Sequence, residues 1–364
     1  MAEVPYKEIY MEKYFALERK HIFPLILTLA ATIGFGTAYL VYRNGVMQEG
    51  QVVFPISATV FWFMLFGALA TLPISLFNPK IKQFTSSPSS SIDPHQTLID
   101  SLKRIWEKDL SETVLLDSIL FTIQFALTIY ALSEKKPGIV LIVVLTQALR
   151  PALISLGSNI YVKERLHPYS LFWLGLGLAI LGVFVYQCDF SQTTIFAFDR
   201  TFWLTACLVV VSSSQTIVQG RYRRKHGIQS IYPMTIVLTI GTIFSFFWML
   251  TACHGQIAVP PNGTIWFAVI YLGVVPSGIC KLFQVISEES MSMQQTNTIV
   301  STSTFFVILV SYVSSHVLFP FHELFYTPLP NRMTQWIGIS LTFVGILITI
   351  LLVKRIKEKK EKTS

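Results

Sequence analysis

Ten uninterrupted apolar runs, each close to the length that a helix needs to cross a bilayer, constrain this chain more than any other feature. They are Ile22–Tyr42, Val52–Phe77, Val114–Leu132, Gly138–Tyr161, Tyr169–Tyr186, Phe202–Gln219, Ile231–Cys253, Thr264–Ile286, Met293–Phe319 and Gln335–Val353. A helix rises about 1.5 Å per residue, so about 20 apolar residues cover the hydrocarbon core. No water is available there, and every backbone N–H and C=O must be paired inside a helix or a closed barrel. Continuous runs select helices, because barrel strands alternate over roughly ten residues. The balance of the chain excludes a soluble domain: 52% of residues are hydrophobic and 13% charged, with a mean hydropathy of +0.56. The first run is too long for a signal-peptide core and is read as retained.

The net charge of +8 is a topology signal rather than a nucleic-acid footprint, because the lysines and arginines sit between the runs. With a cytoplasmic N-terminus, the inner segments hold 21 of them and the outer ones five: Arg43, Lys135, Lys136, Arg200 and Arg332. That bias puts both termini in the cytoplasm. Residues 1–20 are too charged to span, but Ile9, Tyr10, Lys13, Tyr14 and Leu17 recur at helical spacing, which predicts an amphipathic helix on the cytoplasmic surface. The inner connection 78–111 is Ser/Pro-rich over Thr85–Pro94, then carries Leu98, Leu102, Ile105 and Trp106 at helical spacing. The tail, 354–364, is basic. Four cysteines without C-x-x-C spacing support neither a metal site nor a redox cofactor.

An order of residues occurs twice. Ser133-Glu134 precedes an apolar segment, Glu164 follows, and a glycine-spaced helix carries Trp173, Gly175 and Gly182. Ser287-Glu288 precedes another, Glu323 follows, and Trp336, Gly338 and Gly345 keep the Trp-x-Gly-x6-Gly spacing. The offset is 154 residues at the serines and 163 at the tryptophans; the Pro-rich run Phe319–Arg332 accommodates the difference. Ten runs divide into five and five, and an odd number per set makes the second copy enter from the opposite side. The expected fold is therefore an all-α integral membrane protein: ten transmembrane helices as two inverted five-helix repeats, 21–187 and 201–353. Alternating-access transporters use such inverted repeats. Lys163-Glu164-Arg165-Leu166 with Trp173, Gly175 and Gly182, and the looser His322-Glu323-Leu324 with Trp336, Gly338 and Gly345, resemble the EamA-type drug/metabolite transporter superfamily. That resemblance implies ten helices in two inverted repeats and covers essentially the whole membrane region. The chain departs from the pattern in the expanded connection before the last helix and in the long Ser-rich one after the second.

Arg150 is the residue to explain, since it sits halfway along the fourth run, where a charge costs about 2.5–3.5 kcal/mol on insertion scales. Two readings stand: it faces substrate, or it binds carbonyls freed by Pro151. Gln147 lies one turn before it and shares its face. Lys281, one turn from the end of the eighth run, either snorkels to the interface or meets substrate or a counter-ion. Gln294–Thr298, including Thr296 and Asn297, open the ninth run with a polar stretch that reads as pathway lining. Gln124 and Gln215 are further cavity candidates, whereas Ser212–Ser214 lean towards helix packing. Tyr39, Tyr130 and Tyr271 read as interface anchors. Asp117 and Glu288 fall near helix ends, so no proton-relay carboxylate is evident.

The expected function is secondary transport of a small polar, anionic or zwitterionic metabolite across a membrane such as a bacterial inner membrane. Amino acids fit; S-adenosylmethionine-like molecules and nucleotide sugars enter through the resemblance. A drug or amphiphile exporter of the same fold and a non-transporting membrane scaffold are the alternatives. An enzyme is not expected, nor is a nucleic-acid partner; the partners are the bilayer and the small-molecule substrate.

Overall fold

The computed structural model describes residues 6–48, 51–76, 103, 108–134, 139–161, 170–187, 200–226, 231–291, 293–317 and 322–361. Lys163–Leu166 and most of the 78–111 connection lie outside the described residues. The helices are α1 Tyr6–Gly45, α2 Ile56–Leu76, α3 Lys108–Leu132, α4 Ile139–Thr146, α5 Arg150–Tyr161, α6 Ser170–Gln187, α7 Arg200–His226 and α8 Ile231–Ala252. They continue with α9 Gly263–Leu272, α10 Lys281–Ser290, α11 Met293–Val300, α12 Ser303–His316 and α13 Met333–Glu361. A two-residue ribbon, Met47–Gln48 with Gln51–Val52, joins α1 to α2.

The protein is all-helical apart from that ribbon, among the described residues, and eight helical segments are long and apolar enough to cross a membrane. Two shorter apolar stretches, Trp173–Tyr186 and Met333–Ile348, lie in α6 and α13. Large apolar side chains face outwards, as in Leu69, Trp203 and Phe247; a bilayer removes the cost that water would impose on them. Hydroxyls are kept inside and bond back to the carbonyl one turn earlier, as Thr28 does to Pro24 (2.8 Å), Thr32 to Thr28 (2.6 Å) and Ser118 to Val114 (2.8 Å). The expected separate surface helix at residues 1–20 differs from what is found: backbone 6–45 is one helix that runs through Pro24.

Three interruptions fall inside the apolar runs. A 3₁₀ turn, Gln147–Leu149, separates α4 from α5 just before Pro151, which has no N–H to offer to the Gln147 carbonyl. A π-helical stretch, Gly273–Cys280, containing Pro276, separates α9 from α10. A turn at Ser301-Thr302 separates α11 from α12. Irregular backbone at membrane depth is tolerated where it is buried in protein or lines a cavity.

The repeated glycines bring α6 and α13 together in antiparallel fashion. A Cβ on Gly338 would lie 2.6 Å from the Gly182 carbonyl oxygen, and one on Gly345 would meet the Gly175 carbonyl oxygen. With no side chains between them the backbones touch, and the Thr342 hydroxyl donates to Ala179 O (3.4 Å) across the contact. Elsewhere α1 packs against α9, the π stretch, α10, α11 and α12; α7 against α3, α4 and α5; and α2 against α8. The connection before α13 is tied down too: Ser311 Oγ and Thr327 exchange hydrogen bonds at 2.8 Å, and the Asn44 amide reaches the Glu323, Leu324 and Tyr326 carbonyls.

Candidate functional site

A cavity with about 960 Å³ of empty space, counted out to its mouth, lies among α1, α2, α3, the α4–α5 break, the π stretch with α10, and the α11–α12 break. Four of the seven residues predicted from sequence line it: Gln124, Gln147, Arg150 and Lys281. The helix breaks explain how. At Gln147 the 3₁₀ turn rotates the chain so that Gln147 and Arg150, three residues apart, both reach the same space. The Gln147 carbonyl accepts the Arg150 N–H and the Ser301 hydroxyl (3.3 Å). It is the Arg150 backbone, not its side chain, that bonds the carbonyl left by Pro151; the reading that gave this task to the guanidinium differs from what is found. The arginine points sideways, Nη2 donating to Thr216 Oγ1 (3.0 Å) and Ser212 O (3.5 Å) on α7, while Nε has no protein partner.

Other polar atoms around the cavity are likewise unpartnered. Gln147 Oε1 accepts from Ser212 Oγ (3.4 Å), but its Nε2 has no partner, and neither do Gln124 Oε1 and Tyr42 Oη. Each is buried, and a buried polar atom left unbonded costs about 1–3 kcal/mol. Donors, an acceptor and a guanidinium thus converge on one space without bonding one another. The opposite wall is aromatic: Phe63 and Phe125 have ring centroids 3.9 Å apart, and Phe121 and Phe125 4.8 Å. Tyr39 joins it, so it is no interface anchor; Tyr271 bonds Thr37 Oγ1 at 2.6 Å inside the bundle.

Lys281 does not snorkel. It is 5% exposed, and its Nζ donates to Gln284 Oε1 (3.2 Å), whose Nε2 donates to Glu288 Oε1 (3.0 Å) and Asn297 Oδ1 (3.4 Å). Asn297 Nδ2 also donates to Glu288 Oε1 (3.4 Å). Asn297 and Thr296 are buried but do not line the cavity; their face of α11 turns to the layer behind it. Gln215 is also off the cavity, fully buried on α7, and its amide atoms have no protein partner. The two acids that sequence placed near helix ends are buried, Asp117 completely and Glu288 to 4% exposure. Asp117 accepts from Gln219 Nε2 (3.4 Å). Thr216, Ser301, Gln284 and Glu288 were missed as site residues; hydroxyls and amides in apolar helices give no signal that separates site from packing.

No protein-family profile and no curated protein sequence matches this chain. Solved structures do match. One, described only as the crystal structure of a protein, superposes with a TM-score of 0.56 at 19% identity, covering 90% of this chain and 98% of its own. At that identity the likeness concerns the fold alone. The protein is a multi-pass helical membrane protein with a cavity inside its helical bundle, lined by aromatic and aliphatic side chains and by a few polar and charged ones.

Proposed function

We propose that this protein is a secondary transporter of the EamA-type drug/metabolite kind. It carries a small polar anion or zwitterion by alternating access between two inverted five-helix repeats, with both termini cytoplasmic. The single observation that carries the reading is the cavity: Arg150 Nε, Gln147 Nε2 and Gln124 Oε1 are buried, unbonded and convergent. A scaffold would gain nothing from unbonded polar atoms inside a bilayer, whereas a carrier needs them free for its cargo.

The repeat reading has its own support. The Ser301 hydroxyl and Gln147 carbonyl, which bond one another, are 154 residues apart, the offset between the paired serines. Thr342 and Ala179 are 163 apart, the offset between the paired tryptophans. Contacts between residues and their own counterparts are what a two-fold axis would produce, and the inverted-repeat reading puts that axis in the membrane plane. The packing obeys the same exchange: α1 against α9–α10 has its counterpart in α7 against α3, and α1 against α11–α12 in α7 against α4–α5. α6, at 18 residues, reaches about 27 Å and completes the first set.

Arg150 is the group that we assign to the substrate's anionic centre. A charge-assisted hydrogen bond contributes about 1.5–3 kcal/mol, so Arg150→Lys, which keeps charge but loses the planar fork, should weaken uptake about tenfold or more. Arg150→Ala should abolish it. The assay is uptake of a metabolite mixture into vesicles containing purified protein, read by mass spectrometry. Wild-type uptake by a well-folded Arg150→Ala variant would refute the assignment.

A further inference from the structure

Glu288 lies one hydrogen-bonded step behind the cavity wall, and the reading above gives it no task. Its carboxylate is joined to Lys281 through a single amide: Gln284 accepts from Lys281 Nζ at 3.2 Å and donates to Glu288 Oε1 at 3.0 Å. Asn297, from the neighbouring α11, adds a second donor to the same oxygen at 3.4 Å. Both charged ends are at least nine-tenths buried. A buried charge persists only when it is compensated and hydrogen-bonded, and the intervening amide, oriented by a cation at its oxygen and an anion at its nitrogen, couples the two. Arg150 stands differently in its hydrogen bonds, which go to neutral groups, Thr216 Oγ1 and the Ser212 carbonyl; Glu288 acts on it through space, with no described hydrogen bond between them. Among the described residues, Arg150 and Lys281 are the charged side chains on the cavity wall. Asp117, the other acid buried among the described residues, bonds Gln219 and does not line the cavity.

We propose that Glu288 is a built-in counter-ion that sets the charge of the accepted substrate: it offsets Lys281 through Gln284, so that the cavity presents one net positive charge, at Arg150, and selects monoanions over dianions. This rests on the transport reading. Gln284 makes the offset specific, because its acceptor serves Lys281 and its donor serves Glu288. Removing the charge of Glu288 without changing its shape takes one negative charge away from a cavity wall that carries Arg150 and Lys281, and a dianion then gains relative to a monoanion of the same body.

The test uses purified full-length protein and two pairs of probes matched to the aromatic wall: benzoate against phthalate, and benzyl methyl phosphate against benzyl phosphate, at pH 7.5. Affinities come from ligand-dependent thermal stabilisation, and the readout is the dianion-to-monoanion ratio, which a merely structural role would not move. Wild type should favour the monoanion of each pair. Glu288→Gln should shift the ratio about tenfold or more towards the dianion, Lys281→Gln should shift it the other way, and the charge-balanced Lys281→Gln/Glu288→Gln variant should return it to within about threefold of wild type. A folded Glu288→Gln variant whose ratio moves less than about twofold overturns the proposal. Should that variant not yield monodisperse protein, the charge-balanced pair decides, and a ratio displaced from wild type by more than about tenfold overturns it. A wild type that binds and prefers both dianions overturns the charge rule alone, leaving the transport reading in place. A wild type that binds none of the four and takes up nothing from the metabolite mixture overturns both.

Discussion

Replacing Gly338 by alanine tests the contact on which the repeat argument leans. The added methyl carbon would sit 2.6 Å from Gly182 O, 2.6 Å from Tyr186 N and 2.8 Å from Tyr186 Cα, against 3.4–4 Å for ordinary contact. All three are backbone atoms and cannot rotate aside, so α6 and α13 must part by roughly 0.8 Å at this level. Overpacking of this kind costs about 1–3 kcal/mol, and losing close Cα–H···O contacts adds about 0.5–1 kcal/mol each. Alanine returns about 1 kcal/mol through helix propensity. The net expectation is about 2 kcal/mol of destabilisation, or about 4 °C at roughly 2 °C per kcal/mol. Gly177, on the partner helix α6, has nothing within 4 Å of its Cβ position, so Gly177→Ala should be neutral or slightly stabilising. The Gly182→Ala/Gly338→Ala pair should cost about 1 kcal/mol less than the two singles together, because one separation accommodates both methyls. Thermal unfolding of detergent-purified protein reads all four variants. If Gly338→Ala melts with Gly177→Ala, the helices do not depend on the glycine contact and the reasoning fails.

Two further expectations concern the ends of the helices. The charge bias predicts a cytoplasmic 78–111 connection, so an engineered Ser89→Cys should label with an impermeant thiol reagent only after the cells are opened; labelling of intact cells would reverse the topology. The Arg200–Glu134 ion pair, 3.2 Å long with the arginine side chain 71% exposed, ties α7 to the end of α3 at the surface. Arg200→Ala should therefore cost under about 1 kcal/mol, and a melting-temperature loss as large as that expected for Gly338→Ala would mean that the pair is structural.

Much of the fold was legible because a bilayer leaves few choices: helices of about 20 apolar residues and small residues where helices meet. The four glycines of the Trp-x-Gly-x6-Gly copies could be read as packing points, and they do meet, pairwise and antiparallel. The site was legible only in part. Arg150, Gln147, Gln124 and Lys281 line one cavity, because a charge or amide deep in an apolar run must find a polar space. Gln215, Thr296 and Asn297 satisfy the same criterion and sit elsewhere. Whether an amide faces a cavity or a neighbouring helix depends on the rotation of the helix about its axis, and an apolar background with little periodic contrast carries no record of that rotation.

The rotation is decided at the breaks, and the breaks are unequally visible. Pro151 announces one: its missing N–H frees the Gln147 carbonyl, which the Arg150 N–H and the Ser301 hydroxyl then take up. At Ser301-Thr302 no proline gives warning; the Thr302 hydroxyl turns back to Ile299 O (2.7 Å), and the Ser301 hydroxyl, bonded to Asn297 O (2.8 Å), also lies within reach of the Gln147 carbonyl (3.3 Å). That turn, with the π stretch ending at Cys280, isolates α10 and α11 as a short pair and carries Glu288 inward under Asn297. A carboxylate placed near a helix end reads as an interface residue only while the helix is assumed to run straight to the membrane surface. Once the backbone is interrupted on both sides, the same position belongs to the interior, and its charge has to be matched there, by Lys281 through Gln284.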